Sequence, residues 1–178
     1  FYGPDNHNTP RVYLSNDRAV LTKKENAFDS LFITASCIVA NDFTGDGFAD
    51  LFIGGRAVPW EFGKLPRSYL LQNDGTGKFR DVTGVYAQEL AYAGFVTDAV
   101  WVDIDNDKDV DLLLSMEWGE LTVFVNNKGK LSKKILSEKK GWWNFLLPCD
   151  IDKDGDIDLV AGNLGLNSRL KASVAEPV

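Results

Sequence analysis

The chain has a single histidine, His7, and it stands in a polar segment near the start. We read it as solvated, because general acid–base work needs a positioned, desolvated partner and none is in sight there. Cysteine is equally scarce. Cys37 and Cys149 fall in apolar segments a whole repeat apart, whereas bridged Cα atoms must lie within about 7 Å. Two buried free thiols are expected instead. No apolar run is long enough to span a membrane. An initiator Met and a signal peptide are both missing at Phe1, which fits a mature or truncated N-terminus. Basic residues are outnumbered, 19 Lys and Arg against 26 Asp and Glu. The resulting net charge of −7 excludes a nucleic-acid partner, which would demand clustered cations. No nucleophile motif or phosphate-cradling loop appears, and Gly75-Thr76-Gly77 sits in a hairpin turn, not before a helix. Long amphipathic helical periodicity is also absent.

What the chain does have is acid in a pattern. Three nine-residue loops recur: Asp42-Phe-Thr-Gly-Asp-Gly-Phe-Ala-Asp50, Asp103-Ile-Asp-Asn-Asp-Lys-Asp-Val-Asp111 and Asp150-Ile-Asp-Lys-Asp-Gly-Asp-Ile-Asp158. Oxygen side chains occupy positions 1, 3, 5 and 9 of each: Asp42, Thr44, Asp46 and Asp50; Asp103, Asp105, Asp107 and Asp111; Asp150, Asp152, Asp154 and Asp158. A hard cation such as Ca²⁺ takes about six to eight oxygens, which a tight loop of alternating carboxylates can supply. The backbone carbonyls of Phe48, Asp109 and Asp156, at position 7, are expected to complete each shell. An EF-hand would carry glutamate at position 12 between two helices, but Ile53, Leu114 and Ala161 stand there. The loops hold half of the acidic residues, so three bound Ca²⁺ would bring the net charge close to zero. Lys108 replaces the glycines of the other loops (Gly47 and Gly155) at a position that turns sharply. A left-handed backbone costs a side-chain-bearing residue about 1–2 kcal/mol, so loop two is expected to be the weakest site.

Each loop lies between short apolar runs, which read as strands buried on both faces. A second signal alternates with the first, an apolar strand ending in an Asn-led turn: Val12 to Asn16, Tyr69 to Asn73 and Val123 to Asn126. Asn and Gly tolerate positive φ, as hairpin turns require. Together they define a four-stranded unit, with strand A entering the acidic loop, B leaving it, C ending in the Asn turn and D following. The loop starts at 42, 103 and 150 are spaced like β-propeller blades. The expected fold is all-β: a half blade over 11–24, blades over 35–84 and 94–135, and a half blade over 144–163, in one segment spanning 1–178.

These loops, with the strands Asp50 to Gly55 and Asp158 to Gly162 and the segment Tyr69 to Phe79, resemble FG-GAP/VCBS repeats. Such repeats build the propellers of integrin α subunits and of bacterial surface proteins. Residues 141–144 and 161–168 are most similar to bacterial proteins of the cartilage-acidic-protein type. The resemblance implies a calcium-bearing propeller of about seven blades in an extracellular, cell-surface or periplasmic protein. On that view this chain is a piece of a longer parent chain whose remaining blades are its partners.

Topology then places acidic loops and Asn turns on one face and the B-to-C and D-to-A connections on the other. Arg56, Trp60, Trp118, Trp143, Asn163 and Arg169 are assigned to that second face as candidate ligand-binding residues. Aromatics with Arg and Asn make a binding surface for a protein or polysaccharide. Alternatively, the rings plug gaps between blades. The functional expectation is a non-catalytic interaction module with up to three Ca²⁺. The alternative is a fragment of a propeller-type polysaccharide lyase or other carbohydrate-active enzyme.

Overall fold

The computed structural model describes residues 10–29 and 31–165, so His7 and the candidate Arg169 lie outside the described residues. The fold is all-β and antiparallel, a partial propeller. A hairpin of β1 (Val12–Ser15) and β2 (Leu21–Lys24) precedes a four-stranded meander of β3 (Thr34–Asn41), β4 (Asp50–Ala57), β5 (Tyr69–Asn73) and β6 (Phe79–Asp81). A second four-stranded sheet follows, made of β7 (Phe95–Val102), β8 (Asp111–Asn127), β9 (Lys130–Cys149) and β10 (Asp158–Asn163). Helix α1 (Thr83–Tyr86) and a 3-10 turn (Gln88–Tyr92) join the two sheets, with Ala87 and Leu90 sealing the join.

The acidic loops connect β3 to β4, β7 to β8 and β9 to β10, as the apolar flanks predict. The second sheet differs from expectation. Sequence reading puts connections around 117–118 and 136–143, but β8 and β9 continue as strand through both. β8 changes partner partway: Asp111 to Glu117 pairs with β7, and Glu117 to Asn127 with β9. β9 then leaves β8 and pairs with β10 from Trp143 to Cys149. The reason lies in turn chemistry. The B-to-C connection of the first meander holds Pro59, Gly63 and Pro66, whereas 116–121 and 132–144 contain no proline and one glycine each. Without breakers, the chain bends through bulges, with register shifts at Glu117, Gly119 and Leu121.

Side chains alternate across the inner strands, so each B strand packs in two directions. In β4, Leu51 and Ile53 pack toward the β1–β2 side, and Phe52 points the other way, into the cluster shared with β7 and β8. In β8, Leu112 and Leu114 join that shared cluster, and Leu113 faces onward to β10. In β10, Leu159 and Ala161 face back, leaving Val160 41% exposed. The strand A partners follow suit, because Val39, Val100 and Leu147 sit opposite Phe52, Leu113 and Val160. Both cysteines are free and half-buried, and burial pushes the Cys37 thiol above its usual range.

Candidate functional site

Position 1 of each loop organises the turn. Asp42 accepts the backbone N–H groups of Gly45, Asp46 and Gly47 at 2.7–3.0 Å. Asp103 accepts those of Asp107 and Lys108, and Asp150 those of Lys153 and Gly155. This short-range capture is what Asp does well in turns, and it wraps the backbone around the carboxylate.

Position 9 comes from beneath. Asp50 and Asp111, the first residues of β4 and β8, are fully buried. Burial pushes both carboxyls above the usual carboxylate range, against the lowering effect of the backbone N–H groups that reach them. The carboxylates of Asp103, Asp105 and Asp111 converge within 4.8 Å of one another, as do those of Asp150, Asp152 and Asp158. Loop one reaches the same arrangement through a hydroxyl: Thr44 Oγ1 donates to Asp50 at 3.1 Å and lies 3.4 Å from Asp42. Positions 1, 3 and 9 therefore meet in all three copies. Position 5 is occupied locally, with Asp46, Asp107 and Asp154 each accepting the N–H of the residue two places on. At position 7 the side chains turn outward: Asp109 accepts Lys128 N–H and Asp156 accepts Asn106 Nδ2. The position-7 side chains of loops two and three are therefore engaged away from positions 1, 3 and 9. Oxygen-only donors around buried carboxylates fit a hard cation and not a soft one.

Loop-to-loop recurrence decides the family. A model of the FG-GAP-like repeat matches residues 42–114 and 103–161, each match running from the first residue of one acidic loop into the strand that follows the next. The chain belongs to the FG-GAP-like repeat family. A search of curated proteins finds no match to it.

Within the FG-GAP-like repeat, the Asn turns prove to be tied to the acidic loops, a link that sequence reading missed. Asn73 donates its backbone N–H to Asp50 and its Nδ2 to the Ala49 carbonyl, while its Oδ1 takes Gly75 and Gly77 N–H. Asn126 does the same with Asp111, Val110 and Gly129. Its Nδ2 also lies 3.3 Å from the Phe43 carbonyl of loop one. Asparagine supplies donors and acceptor at once, as this clamp requires.

The loops also share two positive-φ positions. Position 6 is one, with Gly47, Lys108 (φ 77°) and Gly155, and position 4 is the other, with Gly45, Asn106 and Lys153 (φ 64°). Sequence reading found only the first. Strain therefore falls on loop three as well as loop two. Lys108→Gly and Lys153→Gly should each tighten calcium at their own loop, by about tenfold if some 1.4 kcal/mol is recovered. Titration calorimetry reads this, and unchanged or weaker binding contradicts it.

The opposite end of the strands holds the aromatic candidates. Arg56, Trp60 and Trp118 meet there around an open cavity of about 540 Å³. Trp118 is not in a loop, as expected from sequence, but at the β8 bulge, in edge-on contact with Phe62, Phe95 and Trp142. Trp143 and Asn163 are register partners on β9 and β10 and do not line this cavity. The Trp143 ring is half-buried against the Leu113–Leu146 cluster, which matches the gap-filling reading. Phe62 and Phe95 were invisible to sequence reading, since the β4–β5 connection brings one and the β7–β8 pairing the other beside Trp118.

Proposed function

We propose that this chain is part of an extracellular calcium-binding β-propeller, a non-catalytic module for protein or carbohydrate interaction at the cell surface or in the periplasm. The observation that carries the reading is the threefold convergence of positions 1, 3 and 9 in loops anchored by inner strands. Asp42, Thr44 and Asp50, then Asp103, Asp105 and Asp111, then Asp150, Asp152 and Asp158 hold one Ca²⁺ each. Asp46, Asp107 and Asp154 and the position-7 carbonyls of Phe48, Asp109 and Asp156 fill the remaining positions. Bound calcium neutralises the clustered carboxylates and fixes the ends of strands A, B and C. Such loops are rigid staples, since no helix pair is present among the described residues to swing open as in a sensor. Millimolar-class structural calcium suits an extracellular setting.

Further blades of the same architecture are the partner that the β9–β10 face fits. Leu147, Ile151 and Val160 are exposed there, at the repeat positions where Val39, Phe43 and Phe52 pack in the first sheet and Val100, Ile104 and Leu113 in the second.

Calcium titration of chelator-treated protein tests the module directly. About three ions should bind, and Asp42→Ala, Asp103→Ala and Asp150→Ala should each remove one. A stoichiometry that does not fall with these substitutions would sink the reading.

A further inference from the structure

Two tryptophans in this chain hold a left-handed backbone, Trp60 (φ 66°) and Trp118 (φ 57°). Bulky residues rarely adopt that conformation, and strain of this kind collects at functional sites. Both line the same cavity. Its size lies within the roughly 300–1,000 Å³ of small-ligand sites, and both of its walls belong to this chain. One wall is the loop after β4, the other the β8 bulge with the start of β7.

The lining is amphipathic in a particular way. Trp60 and Phe62 are 93% and 98% exposed, so their faces are free. Trp118 is held edge-on between Phe62 and Phe95, with centroids 6.4 and 5.5 Å away. Below them, Arg56 Nη2 donates to Glu117 Oε1 at 2.6 Å, and the Glu117 side chain is only 10% exposed. That pair fixes one donor group and one acceptor group in the floor and leaves little net charge. Arg56 Nη1 is enclosed by the protein's own atoms, so what the arginine offers a ligand is the accessible part of its side chain, which is 36% exposed.

We propose that this cavity is a carbohydrate site that takes a pyranose ring of a neutral glycan. A pyranose is apolar on its C–H faces and ringed by hydroxyls that both donate and accept. The free aromatic faces match the former and the Arg56–Glu117 pair the latter. A purely apolar ligand would desolvate the Arg56–Glu117 pair without offering it a hydrogen bond, and an anionic sugar would meet an arginine already neutralised by Glu117. A protein partner fits less well, since standard interfaces spread over about 800 Å² per side and here the free aromatic surface rims a concave floor. The inference rests on the interaction-module reading and names the ligand for it.

The test uses Trp60→Gly and a panel of neutral tetrasaccharides: maltotetraose, cellotetraose, laminaritetraose, mannotetraose and chitotetraose. Saturation-transfer NMR and tryptophan fluorescence read binding, and thermal melting reads stability. At least one sugar should bind the unaltered protein and bind Trp60→Gly at least tenfold more weakly. The same substitution should raise the melting midpoint by roughly 2–4 °C as the left-handed strain is relieved. Phe62→Ala should weaken the same sugar without shifting the midpoint. The proposal is overturned if no sugar binds at millimolar concentration, if Trp60→Gly binds as well as the unaltered protein, or if Trp60→Gly lowers the midpoint, which makes the ring structural. Calcium stoichiometry measured on the same samples separates the two readings. Full calcium loading without sugar binding removes only the glycan site, and absent calcium binding removes the metal module.

Discussion

Chelating calcium should lower the melting midpoint by about 20 °C at neutral pH. With free calcium at about 100 times Kd, each site adds about 2.7 kcal/mol of stability, so three add about 8 kcal/mol. For a chain of this length each kcal/mol moves the midpoint by roughly 2–4 °C. The structure gives a reason for strong coupling. Asp50 and Asp111 are fully buried, and burial raises their carboxyl pKa in the folded protein. A raised folded pKa favours folding below the ordinary carboxylate range near 3.9 and opposes it once pH passes the folded value. Metal-free protein is therefore penalised at neutral pH by two buried charges that calcium would neutralise. On acidification the penalty fades while protons displace the ion, so the gap between calcium-loaded and chelated midpoints should narrow toward pH 5. Differential scanning calorimetry across that range checks both statements. Equal midpoints at pH 7 would reduce the acidic loops to decoration.

Asn126→Ala should be the most damaging single change at the acidic-loop face, at about 3–4 kcal/mol. The side chain is 2% exposed, and its amide serves the Val110 carbonyl, the Phe43 carbonyl and the Gly129 N–H. Truncation leaves these groups unsatisfied, each at about 1–3 kcal/mol before relaxation. The backbone N–H keeps its bond to Asp111, but the Val110 carbonyl next to it loses its anchor, so calcium at loop two should weaken while loop three keeps its affinity. Asn73→Ala makes a milder control, because Asn73 is half-buried and its amide donates to an exposed carbonyl. Denaturant unfolding with site-resolved titration distinguishes them. An Asn126→Ala protein within about 1 kcal/mol of the parent would show that water replaces the clamp.

Much of this was legible in the linear sequence because the signals are local. Alternating oxygens at 103–111 or 150–158 form a loop by short-range hydrogen bonding, and the apolar runs beside them read as strands. What escaped depends on residues distant in sequence. The fusion of strands B and C into β8 follows from missing breakers, a negative signal easily overridden when a repeat template is in mind. Asn126 reads as a turn former. Its second task, holding the Val110 carbonyl beside Asp111, emerges only when β8 folds back beside loop two. The cavity gathers Trp60, Phe95 and Trp118 from three segments, and no spacing rule links them. Position 4 was missed because Asn106 and Lys153 do not advertise a left-handed backbone as glycine does.

Anomalous diffraction from crystals grown in calcium tests the central claim most directly. Three peaks are predicted, one per loop. Each should lie about 2.3–2.6 Å from oxygens of positions 1, 3 and 9, with the carbonyls of Phe48, Asp109 and Asp156 also in the shell. Loops with no peak, or peaks held only by exposed carboxylates away from Asp50, Asp111 and Asp158, would contradict it.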